Sequence, residues 1–468
     1  RDVAVTGVQT CALPISGSRN APLSIALNEA ADRGLVNLHI RIDERTAAFF
    51  ALGITKATSN PAVVVCTSGT AVANYYPAFL EAFHSGLPLI VLSADRPARL
   101  RQTGANQTTN QINLFNCGYF FTNEDYELHI DGPTHINIEF DEPLLSNEKS
   151  EWLRDLQRKS IKRVNFPQEI FEVPQGKGLV IVGHDGLDAS EFIDELGVPV
   201  IAENPLSYPR SLAHASLFSS KLEIDWVVIV GRTTLSRSTN ELIARTKLQF
   251  VIDPRASKVD PKRTATKIFA SIPKINQKAQ AWSLTSDPFN VDIWSEPGVA
   301  QTIGKSLPDG STLYVASSRP IRDIESYAFP RAGVEVFANR GLAGIDGNLS
   351  TAMGIASKRD CTYAVVGDLA FLHDLTALVN LENLKLKLLV INNDGGGIFS
   401  TLPQAGVPGF ERIFGTPHGR DLFEIARAFG IQVTEIEDFK ALKAFMSPPT
   451  KFEIAILQMP DQIGRAHV

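Results

Sequence analysis

Two short stretches decide how this chain is read: Tyr363-Ala-Val-Val-Gly367-Asp368 and, after 23 intervening residues, Asn392-Asn393-Asp394-Gly395-Gly396-Gly397. Tyr363–Val366 is an apolar run of buried-strand length that closes on a glycine and a carboxylate. Leu388–Ile391 is a second such run that closes on two amides, and the interval predicts a helix over roughly Asp374–Leu384. A strand–helix–strand unit with the usual right-handed crossover places both strand tips at one edge of a parallel sheet. A carboxylate oxygen, an amide oxygen and a nearby backbone carbonyl there can share one hard cation, which Mg²⁺ completes with phosphates and water. The three glycines would let bare backbone approach a diphosphate.

The same alternation extends outward in both directions. Val63-Val-Val-Cys66 leads into Thr67-Ser-Gly-Thr70 and a helical run over Ala71–Phe83. Pro88–Leu92 leads into Ser93-Ala-Asp-Arg96, and His135–Phe140 reads as a late strand. Gly178–Gly183, Val198–Ala202, Asp225–Gly231 and Leu248–Asp253 form a second set. Thr312–Ala316, Val334–Ala338 and Lys451–Leu457 join the opening pair in a third. The expectation is α/β: three consecutive α/β domains with mostly parallel sheets, over 17–147, 166–280 and 281–462, with 148–165 as a helical linker. Ser68-Gly-Thr70 is expected to cap the helix after it. Gly298…Gly304-Lys-Ser imitates a phosphate-binding loop but is one residue too long, and is rejected.

Composition narrows the function. The 468 residues, at roughly 150 per domain, suggest about three domains. Lys and Arg total 45 against 51 Asp and Glu, a net charge of −6 that gives no broad footprint for nucleic acid. Four scattered cysteines argue against thiolate metal sites and disulfides, and favour a reducing, cytoplasmic setting. No apolar run approaches the ~20 residues of a membrane span. Val5–Ile15 and Ile463–Val468 read as translated sequencing-adapter DNA, so 1–16 and 463–468 are expected to be artefacts, with native sequence beyond both ends.

Gly-Asp…Asn-Asn at this separation resembles the motif of the thiamine-diphosphate-dependent enzymes. Their general pattern has glycine after the aspartate, where this chain has Leu369. That departure is similar to one branch, the 2-succinyl-5-enolpyruvyl-6-hydroxy-3-cyclohexene-1-carboxylate synthases of menaquinone biosynthesis. Gly17-Ser-Arg-Asn-Ala-Pro-Leu23, Asp43-Glu-Arg45, Cys66-Thr-Ser-Gly-Thr70, Ala94-Asp-Arg-Pro97, Gly104-Ala-Asn-Gln107, Asn339-Arg-Gly341, Gly344-Ile-Asp-Gly347 and Asn393–Phe399 resemble that branch too.

The resemblance implies a thiamine-diphosphate-binding fold with pyrimidine-binding, middle and diphosphate-binding domains. It implies decarboxylation of 2-oxoglutarate and addition of the four-carbon remainder to isochorismate. Asp368, Asn393 and the Gly395 carbonyl would hold Mg²⁺ or Mn²⁺. Gly367, Gly396, Ile398 and Phe399 would contact thiamine diphosphate, Ile345 would prop its two rings, and Glu44 would share a proton with its pyrimidine ring. Both substrates are dicarboxylates, which suits planar guanidinium forks. Arg19, Arg96, Arg237, Arg322 and Arg340 are the implied cations, with Ser18, Gln107 and Ser318 as hydrogen-bonding neighbours. A homodimer or homotetramer would combine Glu44 of one subunit with Asp368 of another. The alternatives are a sibling 2-oxo-acid decarboxylase or carboligase, or a truncated cofactor-binding chain without activity.

Overall fold

The computed structural model describes residues 12–14, 17–123, 126–145, 153, 161–162, 165–255, 259–381 and 383–460. Every strand pairing among them is parallel. Three principal sheets follow one another along the chain. The first contains β1 (Ala12–Pro14), β2 (Ala62–Cys66), β3 (Leu89–Asp95), β4 (Tyr119–Thr122) and β5 (Thr134–Glu139), ordered β1-β2-β3-β5-β4. The second contains β6 (Gly178–Val182), β7 (Val200–Ala202), β8 (Trp226–Val230), β9 (Leu248–Ile252) and β10 (Lys267–Phe269), ordered β7-β6-β8-β9-β10. The third contains β11 (Ser311–Val315), β12 (Val334–Phe337), β13 (Thr362–Gly367), β14 (Leu386–Asn392), β15 (Gln432–Ile436) and β16 (Glu453–Gln458), ordered β12-β11-β13-β14-β16-β15. The central strands are buried along their whole length, which is why they read as unbroken apolar runs rather than alternating ones.

The chain divides into two compact units. One comprises 1–164, 341–360 and 370–385; the other comprises 165–340, 361–369 and 386–468. In the first unit, helices α1 (Glu44–Thr58) and α4 (Asn348–Ala356) are buried along almost their full length and cross at two glycines. A Cβ on Gly53 would overlap the Thr351 carbonyl, and one on Gly354 the Phe50 carbonyl. Only hydrogen at both positions lets the backbones come this close. In the second unit, α2 (Glu296–Ser306) and α3 (Arg319–Tyr327) pack with Leu313, Val315, Val365 and Leu389 in one apolar core.

Several local expectations are corrected. Between β13 and β14 the helix begins earlier, at Asp368 (α5, Asp368–His373), and continues as a 3₁₀ turn over Leu375–Val379. No helix extends to Leu384, because Asn380 turns outward to Arg41 and Ile42: its carbonyl accepts from Arg41 at 2.6 Å. Ser68 does not cap the next helix. Gly69 occupies the cap position without a side-chain bond, and its N–H donates to Gln111 at 2.9 Å. Most of the expected linker helix lies outside the described residues, and Ile161–Lys162 instead pairs with Leu128–His129. Within the segment read as foreign, Ala12–Pro14 pairs with Val63–Val65, since a backbone ladder makes little demand on side-chain periodicity. The rest of 1–16, and 463–468, lie outside the described residues. The rejected phosphate-loop imitation runs inside α2, so its backbone is committed to helix.

Candidate active site

Register sets up the site in the second unit. β13 and β14 pair from Thr362↔Leu386 to Gly367↔Ile391, so Asp368 emerges beside Asn392 and Asn393. Asp368 is 2% exposed, and its carboxylate is held by main chain. Oδ1 accepts the Leu369 N–H at 2.6 Å; Oδ2 accepts those of Gly395 at 2.8 Å and Asn393 at 3.2 Å. Burial raises the Asp368 carboxyl above the usual range, opposed by these N–H groups and by His418. His418 Nε2 lies 3.4 Å from Oδ2, while its Nδ1 accepts the Arg420 N–H at 3.0 Å. That bond places the proton of a neutral ring on the nitrogen facing Asp368.

The two asparagines turn opposite ways. Asn392 donates to Gln458 at 2.8 Å. Asn393 donates from Nδ2 to Glu296 Oε1 at 2.6 Å, and its buried Oδ1 has no hydrogen-bond partner among the described residues. Asp394 accepts the N–H groups of His418 and Gly419 at 3.0 and 2.7 Å, tying their loop to the strand tip. Gly395 has φ +138°, and a Cβ there would overlap the Gly415 carbonyl; one on Gly396 would overlap that of Phe414. The protein's own packing therefore already requires these glycines. Ile398 and Phe399 lie half-buried in the following 3₁₀ turn, Phe399 with its ring 5.5 Å from that of Phe414.

These residues fit a small hard cation. A buried carboxylate and an unsatisfied buried amide oxygen belong to residues at adjacent strand tips. Among the described residues no group of three or more His, Cys, Asp and Glu could hold a metal. A cation here would depend on one carboxylate with amide and carbonyl oxygens, the ligands that suit Mg²⁺ and Mn²⁺ rather than soft metals.

In the first unit, Glu44 opens α1. Asp43 caps that helix by accepting the Arg45 and Thr46 N–H groups, leaving the half-buried Glu44 carboxylate to accept from Asn74 at 3.2 Å. Its charge acts on two fully buried neighbours: burial pushes the Cys66 thiol and Tyr75 phenol well up, and Glu44 adds to both. Ile345 is 40% exposed in the loop before α4. Ser18 and Gln107 are exposed. Arg19 is buried and donates to the Phe140 carbonyl at 2.8 Å, whereas Arg96 is half-buried and its Nε has no partner among the described residues.

The second unit brings together the other three predicted arginines. Burial, then the charge of Arg340, with Arg319 and Arg237 also contributing, lowers the Arg322 guanidinium below its usual value. Ser318, with φ +77°, accepts from Arg322 through its carbonyl at 2.7 Å. Exposed Arg237 reaches the Thr401 carbonyl at 3.4 Å. Arg340 is paired by two bonds with the fully buried Glu203, at 2.7 and 3.3 Å. Sequence reading missed Glu203, Glu296, Arg319 and the placement of His418. Glu296, between Ser295 and Pro297, reads only as a helix start, and His418 gives no local signal.

Comparison with known proteins agrees with this geometry. Residues 6–114 match the family described as "Thiamine pyrophosphate enzyme, N-terminal TPP binding domain", and residues 325–448 its C-terminal TPP binding domain. Among solved structures, 4-hydroxybenzoylformate decarboxylase of Rhodococcus jostii RHA1 superposes with TM-score 0.70 at 13% identity, covering 97% of both chains. Benzoylformate decarboxylase of Polynucleobacter necessarius gives 0.69 at 15%, covering 97% of this chain and 96% of the other. At such identities the likeness concerns fold alone. Sequence similarity goes further. The 2-succinyl-5-enolpyruvyl-6-hydroxy-3-cyclohexene-1-carboxylate synthase of Thermobifida fusca is 35% identical over 90% of this chain and 88% of its own. Those of Saccharopolyspora erythraea and a Nocardioides species are 36% and 37% identical, covering 90% and 92% of this chain and 87% and 88% of theirs. With these extents of identity and the paired strand tips, the chain belongs to the family of 2-succinyl-5-enolpyruvyl-6-hydroxy-3-cyclohexene-1-carboxylate synthases, thiamine-diphosphate-dependent enzymes of menaquinone biosynthesis.

Proposed function

We propose that this chain decarboxylates 2-oxoglutarate and joins the four-carbon remainder to isochorismate, using Mg²⁺ or Mn²⁺, as a cytoplasmic homodimer or homotetramer. The observation that supports the reading is that Asn393, whose backbone N–H reaches the Asp368 carboxylate at 3.2 Å, keeps its own buried side-chain oxygen without a partner among the described residues. Thiamine diphosphate, when bound, supplies an electron sink for the bond cleavage. Asp368, Asn393 and the Gly395 carbonyl hold the cation that anchors its diphosphate, with Gly367 and Gly396 alongside. Ile345, Ile398 and Phe399 contribute apolar surface that excludes water. Glu44 holds a proton against the pyrimidine ring, a task for a carboxyl at a fixed helix start. In the oligomer this comes from a different subunit than Asp368.

Arg322, close to Arg237 and Arg340, gives the second unit a basic cluster suited to carboxylates. Ser318 lies beside it; Ser18, Arg19, Arg96 and Gln107 are the proposed substrate contacts carried by the first unit. Arg340 contributes while paired with Glu203, so its role includes holding the cluster in shape. Three consecutive domains over 17–147, 166–280 and 281–462 remain the proposed organisation. The test is a product assay with 2-oxoglutarate, isochorismate, thiamine diphosphate and Mg²⁺. The expected result is CO₂ release coupled to a new adduct that requires both substrates. Turnover of pyruvate with no requirement for isochorismate would instead identify a sibling decarboxylase.

A further inference from the structure

Glu296 lies 97 residues before Asn393 in sequence, yet its fully buried carboxylate touches that strand tip. Oε1 accepts the Asn393 Nδ2 N–H at 2.6 Å, and Oε2 forms an ion pair with the Arg319 guanidinium at 3.1 Å. Arg319 also reaches Asp323 Oδ1 at 3.2 Å. We propose that Glu296, oriented by Arg319, is a positioning residue that fixes which end of the Asn393 amide faces the cation. This rests on the reading of Asn393 as a metal ligand.

The two ends of an asparagine amide are nearly equal in size, but only the oxygen binds a cation. A carboxylate can only accept, so Glu296 compels Asn393 to present its NH₂ and to aim its oxygen away. That oxygen is the atom left buried without a partner among the described residues. Arg319 makes the arrangement one-way, because a guanidinium can only donate. If position 296 carried an amide, its oxygen would turn to Arg319 and its NH₂ to Asn393. Asn393 would then have to accept that bond, and its own NH₂ would turn toward the cation. Neutralising Glu296 without changing its shape should therefore cost metal affinity through orientation rather than through packing.

The probe is Mn²⁺ with thiamine diphosphate, free ion being read by electron paramagnetic resonance and folding by circular dichroism. E296Q should weaken Mn²⁺ binding by about 10–100-fold, the usual effect of removing a residue that orients a metal ligand. N393D faces Glu296 with a second carboxylate and should also weaken it. E296Q/N393D restores a donor–acceptor pair and should bind more tightly than either single variant, a rescue that a purely structural role would not produce. Binding by E296Q within twofold of wild type, or simple additivity in the double variant, would overturn the proposal. If E296Q does not fold, N393D is compared with the double variant: tighter binding by the latter supports the proposal, equal or weaker binding overturns it. Failure of the wild-type chain to bind Mn²⁺ would refute the ligand reading of Asn393 itself, and this inference with it.

Discussion

Asp374→Asn tests how the segment carrying Ile345 is fastened. Asp374 is fully buried and accepts the Ser350 N–H at 2.8 Å, inside the first turn of α4, just after the Ile345 loop. Burial pushes its carboxyl up to about 7, against the opposing pull of Ser350 and the more distant Arg45 charge. The unfolded chain releases this proton near the ordinary value of 3.8. Between those two pH values the folded state binds more protons, so stability falls as pH rises and levels off above about 7. The gap limits the total penalty to about 4 kcal/mol, of which about 2–3 kcal/mol develops between pH 5 and pH 8. An asparagine keeps the shape and the acceptor for Ser350 but does not titrate. D374N should therefore gain on wild type by about 2–3 kcal/mol from pH 5 to pH 8 in urea unfolding, or about 2–3 °C in Tm for a chain of this length. Parallel pH profiles for the two proteins would refute the reasoning, because they would show that Asp374 gains no protons on folding.

E44Q should retain thiamine diphosphate in a calorimetric titration while kcat falls by about 10²–10⁴-fold, the range for loss of a proton-transfer group; wild-type kcat would remove Glu44 from the chemistry. G354A sets a methyl group against the Phe50 carbonyl at the α1–α4 crossing and should destabilise by about 1–3 kcal/mol, read as a lower Tm of the free protein. E203A leaves the Arg340 guanidinium buried without its carboxylate and should cost about 3–5 kcal/mol in urea unfolding. A loss below 1 kcal/mol would show that solvent reaches Arg340 directly.

The strands were legible because burial on both faces leaves a plain apolar run, and Val63–Cys66, Trp226–Val230 and Leu388–Ile391 each stand where their composition puts them. The juxtaposition of Asp368 with Asn393 followed from the same signal, since two parallel strands with a short crossover have little freedom in where they end. The crossover itself was misread. Its apolar spacing suits a helix up to Leu384, but Asn380 is claimed by Arg41, a partner 339 positions away that no local pattern discloses. Ser68-Gly-Thr70 supplies no capping side chain, because Gly69 takes the cap position with φ +96° and its N–H is bonded by the distant side chain of Gln111. Arg340 was legible as a cation in a loop motif, while Glu203, which neutralises it, lies after β7 and reads as an ordinary strand-end acid.

The strand-tip site also explains where substitution is easy and where it is not. Asp368 is gripped by backbone N–H groups of residues 369, 393 and 395, which any non-proline residue supplies. Leu369 sits in α5 and needs no left-handed backbone, so a glycine after the aspartate is dispensable in this chain. Gly395 is different, since both its φ and the Gly415 carbonyl exclude a side chain. Asn393 is different again: its orientation depends on one carboxylate from another helix, held in turn by one arginine. A motif written as a string records the first two constraints. It omits the third, because the residues that decide which way an amide faces are brought to it only by the packing of α2 and α3 against the sheet.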